Sequence, residues 1–165
     1  MPITTVKKTI FIFLCGLCLT ACQPHTLQLQ NPLITAIVNN QPEKIRDLLQ
    51  HGVDANTTLQ DGTSALIVAA AIGNLTSIQL LQQHGANINY ANSQGTTALM
   101  AAAGAGNTDA LKLLVTYGAD PCLIDRNHRT ALQVGEQWWG ALETTKLLKN
   151  DKSLLRIVCS KNKKG

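Results

Sequence analysis

The pair Ala65-Leu66 recurs at Ala98-Leu99 and again at Ala131-Leu132, each time displaced by 33 residues, and the agreement reaches well beyond that pair. Leu33, Leu66, Leu99 and Leu132 share one column; Leu48, Leu81, Leu114 and Leu147 share another; Gly52, Gly85 and Gly118 form a third, and Gly73 and Gly106 a fourth. Few architectures accept a period of this length. A unit so short cannot bury its own apolar face and has to stack on copies of itself. A chain of 165 residues has room for about four or five such units.

Each column has a physical role. Asn31, Ser64, Thr97 and Thr130 stand directly before apolar, alanine-rich segments, where their side chains can accept from the first free backbone amides of a helix. Asn40, Gly73 and Gly106 follow those segments and suit the left-handed conformation that ends a helix. A second helix is predicted from Ile45, Leu48 and Leu49, from Ile78, Leu80 and Leu81, and from Leu111, Leu113 and Leu114, each set forming one apolar stripe. Gly52, Gly85 and Gly118 close it, and polar segments such as Asn87 to Gly95 lead on to the next cap. The predicted fold is all-α, a solenoid of about four helix-turn-helix repeats joined by short β-hairpin loops. Runs such as Ala69 to Ala71 and Ala101 to Ala103, with only 4% aromatic residues, imply helices packed close together.

These segments resemble ankyrin repeats, and His84-Gly85-Ala86-Asn87-Ile88-Asn89 is close to that family's turn after the second helix. The resemblance covers roughly residues 28–150 and divides them at 28–60, 61–93, 94–126 and 127–150, within a repeat region of 31–150. It implies a module that binds another protein. The family's Thr-Pro-Leu-His stands here as Asn31-Pro32-Leu33-Ile34, Ser64-Ala65-Leu66-Ile67, Thr97-Ala98-Leu99-Met100 and Thr130-Ala131-Leu132-Gln133. Without the histidine, a bond between neighbouring turns is missing and a softer stack is expected. Gly140 follows Gly106 by 34 residues, so Trp138-Trp139 reads as a one-residue insertion in an irregular terminal repeat. Residues 151–165 then form a basic C-terminal tail or a capping helix, with Ser153 to Val158 as the helical part.

The first residues form a unit of their own. Lys7 and Lys8 precede an apolar run of 12 residues, Thr9 to Thr20, which has the layout of an export signal and falls short of the roughly 20 residues needed to cross a bilayer. Its end, Leu19-Thr20-Ala21-Cys22, resembles the lipobox of bacterial lipoproteins. That resemblance implies cleavage after residue 21, acylation at Cys22, and a linker over 22–30. An ordinary secretory signal followed by a chance cysteine is the alternative. In the lipoprotein family, Gln23 after the cysteine implies the periplasmic face of the outer membrane of a Gram-negative cell.

Removal of that segment changes the chemistry available. Cys15-Gly16-Leu17-Cys18 has CxxC spacing, but a discarded segment carries no site, which leaves Cys122 and Cys159. An oxidising compartment would permit a bridge between them, and the 37-residue loop it closes would contribute about 3.5–4 kcal/mol. Two free, buried thiols are the alternative. The net charge falls from +4 to +2 without Lys7 and Lys8, and residues 31–148 hold nine acids against six bases. Lys149, Lys152, Arg156, Lys161, Lys163 and Lys164 gather the positive charge at the end, where it suits a frayed, solvated terminus or contact with anionic headgroups or an acidic partner. A mildly acidic body on an exported chain argues against nucleic acid as a partner.

No arrangement of nucleophile, base and orienting group stands out, and neither an enzymatic activity nor a cofactor or metal is expected. His51 and His84 occupy equivalent Gln-His-Gly turns, and no histidine pair has metal-ligand spacing on one helix face. Asn56-Thr57-Thr58 and Asn74-Leu75-Thr76 match the glycosylation pattern. Recognition of a protein by a monomeric module remains. The contact residues expected from the tips are Thr58, Leu59 and Gln60, then Tyr90, Asn92 and Gln94, then Ile124, Arg126 and His128; Ile72 and Trp138 lie near the inner-helix ends. Tyr90, Arg126 and Trp138 belong to the types that dominate interface energies, though the tryptophans equally suit the core of a terminal cap. Ankyrin-like lipoproteins resemble guards against lipase effectors delivered by type VI secretion. The resemblance therefore implies a periplasmic inhibitor or immunity protein, or else a scaffold that stabilises a resident enzyme such as a catalase.

Overall fold

The structure, a computed structural model, describes residues 31–139. These form seven helices in chain order: α1 (Pro32–Val38), α2 (Pro42–Gln50), α3 (Ala65–Ile72), α4 (Leu75–Gln83), α5 (Ala98–Ala105), α6 (Thr108–Thr116) and α7 (Ala131–Trp139). The odd-numbered helices pack side by side as an inner layer, α3 between α1 and α5 and α7 against α5. The even-numbered ones form an outer layer, α2 on α4 and α4 on α6. The all-α solenoid stands, with three helix pairs and the inner helix of a further repeat among the described residues. The hairpin loops are shorter than a strand: two of them hold one antiparallel bridge each, Thr58 to Ser64 and Ala91 to Thr97, and the third described tip holds none.

Local sequence explains the helix ends. Asn31 accepts from the amides of Leu33 and Ile34 at 3.0 and 3.3 Å, Ser64 from Ile67 at 3.3 Å and Thr97 from Met100 at 3.3 Å. In the last repeat the bond runs both ways. The Gln133 side chain accepts from the Thr130 amide at 2.8 Å and the Thr130 hydroxyl from the Gln133 amide at 3.4 Å. Gly73, at φ +74°, ends α3, and the Asn74 amide then reaches back to the Ala69 carbonyl at 2.9 Å. Residues Ala65–Ile72 carry no polar side chain because helices flank α3 on two sides and α4 packs over it. Ala65, Ala69 and Ala70 are fully buried there.

The ends of the stack differ from its middle. The column that buries Ser77 and Ala110 has exposed Lys44 in the first repeat, and the column of Leu80 and Leu113 has exposed Asp47. At the other end, the column that buries Ile67 and Met100 carries exposed Gln133, and that of Ala70 and Ala103 carries Glu136. Terminal repeats show water a face that internal repeats show a neighbour, and polar side chains are what that requires.

One internal position departs from this economy. Ser77 is fully buried in α4, and its hydroxyl has no hydrogen-bond partner among the described residues. The next repeat has Ala110 in the same column, also buried. Ser77→Ala is therefore expected to raise stability by about 1 kcal/mol, because it removes an unsatisfied group and leaves a shape the fold already accommodates. Urea unfolding of the two proteins would measure this, and a loss of stability would show that the hydroxyl is satisfied.

Candidate protein-binding face

The repeats are held in register by asparagines. Asn74 donates to the Ile37 carbonyl at 3.4 Å and to the Asn40 side chain at 3.0 Å. Asn107, one period later, donates to the Ala70 and Ala71 carbonyls at 3.1 and 2.8 Å. Near the hairpins, Asn56 accepts from the Asn87 amide at 2.7 Å and Asn89 from the Asp120 amide at 2.8 Å, again one period apart. Asn31 adds a bond to the Thr57 hydroxyl at 2.6 Å. These contacts supply the inter-turn bonding that the missing histidine would otherwise provide, so the expected softness has a counterweight. They also occupy both glycosylation-pattern asparagines: the Asn56 amide nitrogen donates to the Gly85 carbonyl and that of Asn74 to Ile37.

On this frame the expected contact residues fall into three groups. Thr58, Gln60, Gln94, Ile124, Arg126 and His128 are exposed at successive tips, Ile124 most clearly at 53%. Leu59 and Tyr90 are half-buried and pack against the core, with the Tyr90 hydroxyl beside Gly62 of the preceding tip. Asn92 is a structural residue: its side chain accepts from the Gln94 and Thr96 amides, each at 2.9 Å, and donates to Thr63 at 3.3 Å. Ile72 belongs elsewhere, at the end of α3 remote from the tips. The side chain of Trp138 lies outside the described residues, as do Cys22, Cys159 and Gly140. Cys122 is disulfide-bonded.

The last described tip has an anchor that sequence reading passed over. Asp125 is buried, and its carboxylate receives the Asn127 and Arg129 amides at 2.9 Å each and the Arg129 guanidinium at 2.7 and 2.9 Å. Arg129 also donates to Gln137 of α7. Burial pushes the Asp125 carboxyl up, but the hydrogen bonds from Arg129 and Asn127, with the attraction of the guanidinium, outweigh it and hold the group below the usual carboxylate range. The signal available in the sequence was an Asp four residues before an Arg in the tip column. The other repeats place Leu59 and Asn92 there, so the period concealed it.

His128 shows how the tips stack. Gly62, Gly95 and His128 share one column and all have positive φ, at 79°, 76° and 56°. A Cβ at Gly95 would lie 2.9 Å from the Asp125 Cα and 3.1 Å from the Arg126 nitrogen, while the Arg126 amide donates to the Gln94 carbonyl at 3.0 Å. The following hairpin thus lies directly on the glycine. His128 is exposed, which leaves room for a side chain in the same conformation.

Among the described residues there is no group of three or more His, Cys, Asp or Glu side chains that could hold a metal, and no helix long and apolar enough to cross a membrane. Comparison with curated proteins finds no match. The family model of ankyrin repeats in three copies matches residues 7–92, 33–125 and 70–158, which spans most of the chain. With helix pairs, capped inner helices and stacked tips recurring at the same interval, the chain belongs to the ankyrin-repeat family, a family of protein-binding modules.

Proposed function

We propose that this chain is a membrane-tethered inhibitor or immunity protein, which binds and neutralises a secreted toxin such as a lipase effector of type VI secretion. The observation that carries the reading is the contrast between a constant frame and variable tips. Caps and turns repeat, yet one exposed tip column reads Thr58, Ala91, Ile124 and another Gln60, Ser93, Arg126. Side chains that change chemistry from repeat to repeat on a rigid support suit recognition of one particular surface. The lipobox-like Leu19-Thr20-Ala21-Cys22 supports the tether, and the absence of a catalytic constellation in the sequence supports action by sequestration.

Two measurements test this. Cells that lack the protein are expected to be killed by toxin-delivering siblings that spare the parent strain, and equal survival would defeat the inhibitor reading. If those cells instead lose the activity of a resident periplasmic enzyme with no competitor present, the module is a stabiliser. Separately, Cys22→Ser is expected to release the chain from membranes or to block its processing. Retention of a normally processed form on the membrane would rule out lipid anchoring.

A further inference from the structure

The last described tip is held more firmly than its exposed side chains require. Each backbone amide from Asp125 to Arg129 has a partner: those of Asn127 and Arg129 reach the Asp125 carboxylate, those of Asp125 and His128 reach carbonyls of the same loop, and that of Arg126 reaches Gln94 of the preceding tip. Just ahead of them, Cys122 is disulfide-bonded and its amide donates to Asp120 at 2.8 Å. Ile124, Arg126 and His128 stand out from this support, and all three are exposed.

Of the three arginines among the described residues, Arg46 pairs with Glu43 and Arg129 with Asp125, while the Arg126 guanidinium has neither an ion pair nor a hydrogen bond. Beside it, Ile124 is the most exposed of the large hydrophobic side chains described. The other exposed aliphatic ones, Val38, Ile72 and Leu75, gather around a cleft at the opposite edge of the stack. His128 holds a left-handed backbone, φ +56°, where the two preceding tips have glycine. An L-residue meets a cost in that conformation that glycine avoids, and no hydrogen bond from the imidazole offsets it among the described residues. A loop fixed at every amide, with outward side chains left unpartnered, is arranged for contact, because little ordering remains to be done on binding.

Charge along the tips points to the chemistry of the occupant. From Asn56 to Thr108 the sequence holds one Asp and no Glu, Lys or Arg. That residue, Asp61, already accepts from the Thr63 amide and hydroxyl through its two carboxylate oxygens. An anionic membrane lying along the tips would meet Asp61 together with Arg126 and gain no net attraction, whereas a protein can set one carboxylate against one guanidinium. We propose that the third described tip anchors the binding face, and that its occupant is a protein segment with an Asp or Glu carboxylate on Arg126 and an apolar side chain on Ile124, flanked by His128. The guanidinium fork can take a carboxylate through two parallel hydrogen bonds, and the apolar contact beside them keeps water out. The inference rests on the tips being a protein-binding face and is independent of the toxin and of the lipid tether.

The test selects phage-displayed random dodecapeptides on the full-length chain in the presence of excess Arg126→Gln protein, which removes peptides bound to the basic residues 149–164 or to any other site. The Arg126 side chain makes no bond within the fold, so Arg126→Gln keeps the structure, as urea unfolding would verify. Peptides that remain are expected to hold Asp or Glu beside an aliphatic or aromatic residue. They should bind Arg126→Gln at least tenfold more weakly than the parent and lose affinity for the parent as salt rises. His128→Gly, which installs the residue of the two preceding tips, should unfold at a higher urea concentration yet bind the same peptides at least threefold more weakly. Lys44→Gln, which removes an exposed cation from the first repeat, should bind them as the parent does. Peptides without an acid, no remaining peptide, full affinity in His128→Gly, or equal losses in Arg126→Gln and Lys44→Gln would overturn the proposal. So would a concentration-dependent dimer, or flotation with phosphatidylglycerol vesicles, that Arg126→Gln abolishes, since the tip would then serve a second copy or a lipid surface. Survival of cells that lack the protein measures the inhibitor reading separately, so either can fail without the other.

Discussion

Alanine at position 95 is expected to destabilise the solenoid by about 3 kcal/mol, and alanine at position 85 by about 1 kcal/mol, although both replace a glycine with nearly the same backbone. Gly85 has φ +80° and nothing within 4 Å of the place a methyl group would take, so Gly85→Ala brings only the strain of a left-handed L-residue, about 1 kcal/mol. Gly95, at φ +76°, adds a collision with main-chain atoms of Asp125 and Arg126, which cannot rotate away as a side chain would. The hairpin that carries Ile124, Arg126 and His128 would have to lift. The bond from the Arg126 amide to the Gln94 carbonyl is the first to go. Urea unfolding measures the two losses, and hydrogen exchange should show the Asp125 to Val134 amides exposed in Gly95→Ala while those of the first repeat stay protected. Equal losses at the two positions would mean that the tips are not stacked this closely.

Removal of the Asp125 carboxylate is the second large effect. Asp125→Ala leaves two amides and a guanidinium without their acceptor. Because the Arg129 side chain is 32% exposed and can turn to water, the loss is expected at about 2–3 kcal/mol, below the range for a fully buried pair. That lowers the melting midpoint by on the order of 10 °C in a domain of this size. The pH dependence follows from the depressed carboxyl. A group whose folded pKa lies below its unfolded value of about 3.9 contributes fully above that value and loses its contribution as pH falls through the folded one. The parent protein should therefore weaken progressively below about pH 4, and Asp125→Asn should flatten that acid limb and leave the slope near neutrality unchanged. An acid limb of the same steepness in both proteins would place the titrating carboxylate elsewhere.

The features legible in the sequence were those whose cause and effect lie within one turn of chain. Ser64 and Thr97 bond amides three residues ahead, so their meaning could be read on the spot and repeated at the next period. The asparagine bonds could not be read that way. Asn107 serves carbonyls 36 and 37 residues earlier, and its column has Gln41 in the first repeat, so no motif announces the contact. The candidate tips illustrate the same limit. Exposed Gln60 and Arg126 and half-buried Leu59 and Tyr90 share one kind of loop, and only the stacking of the neighbouring hairpin separates them. Ile72 was legible as a variable position, but its company with Val38 and Leu75 required two repeats side by side.

The polar side chains at the two ends of the stack have a consequence for how such a chain can change its length. Among the described residues, Lys44 and Asp47 in the first repeat and Gln133 and Glu136 in the fourth stand on the two outer faces of the stack, while the repeats between them meet near copies of themselves. A duplication of one period spliced in after Gln94 would set each new surface against a near copy of the neighbour it now has and leave the outer faces of the described stack unaltered. The protein could in that way gain or lose reach along its binding face in steps of 33 residues, with no new solution needed at either end.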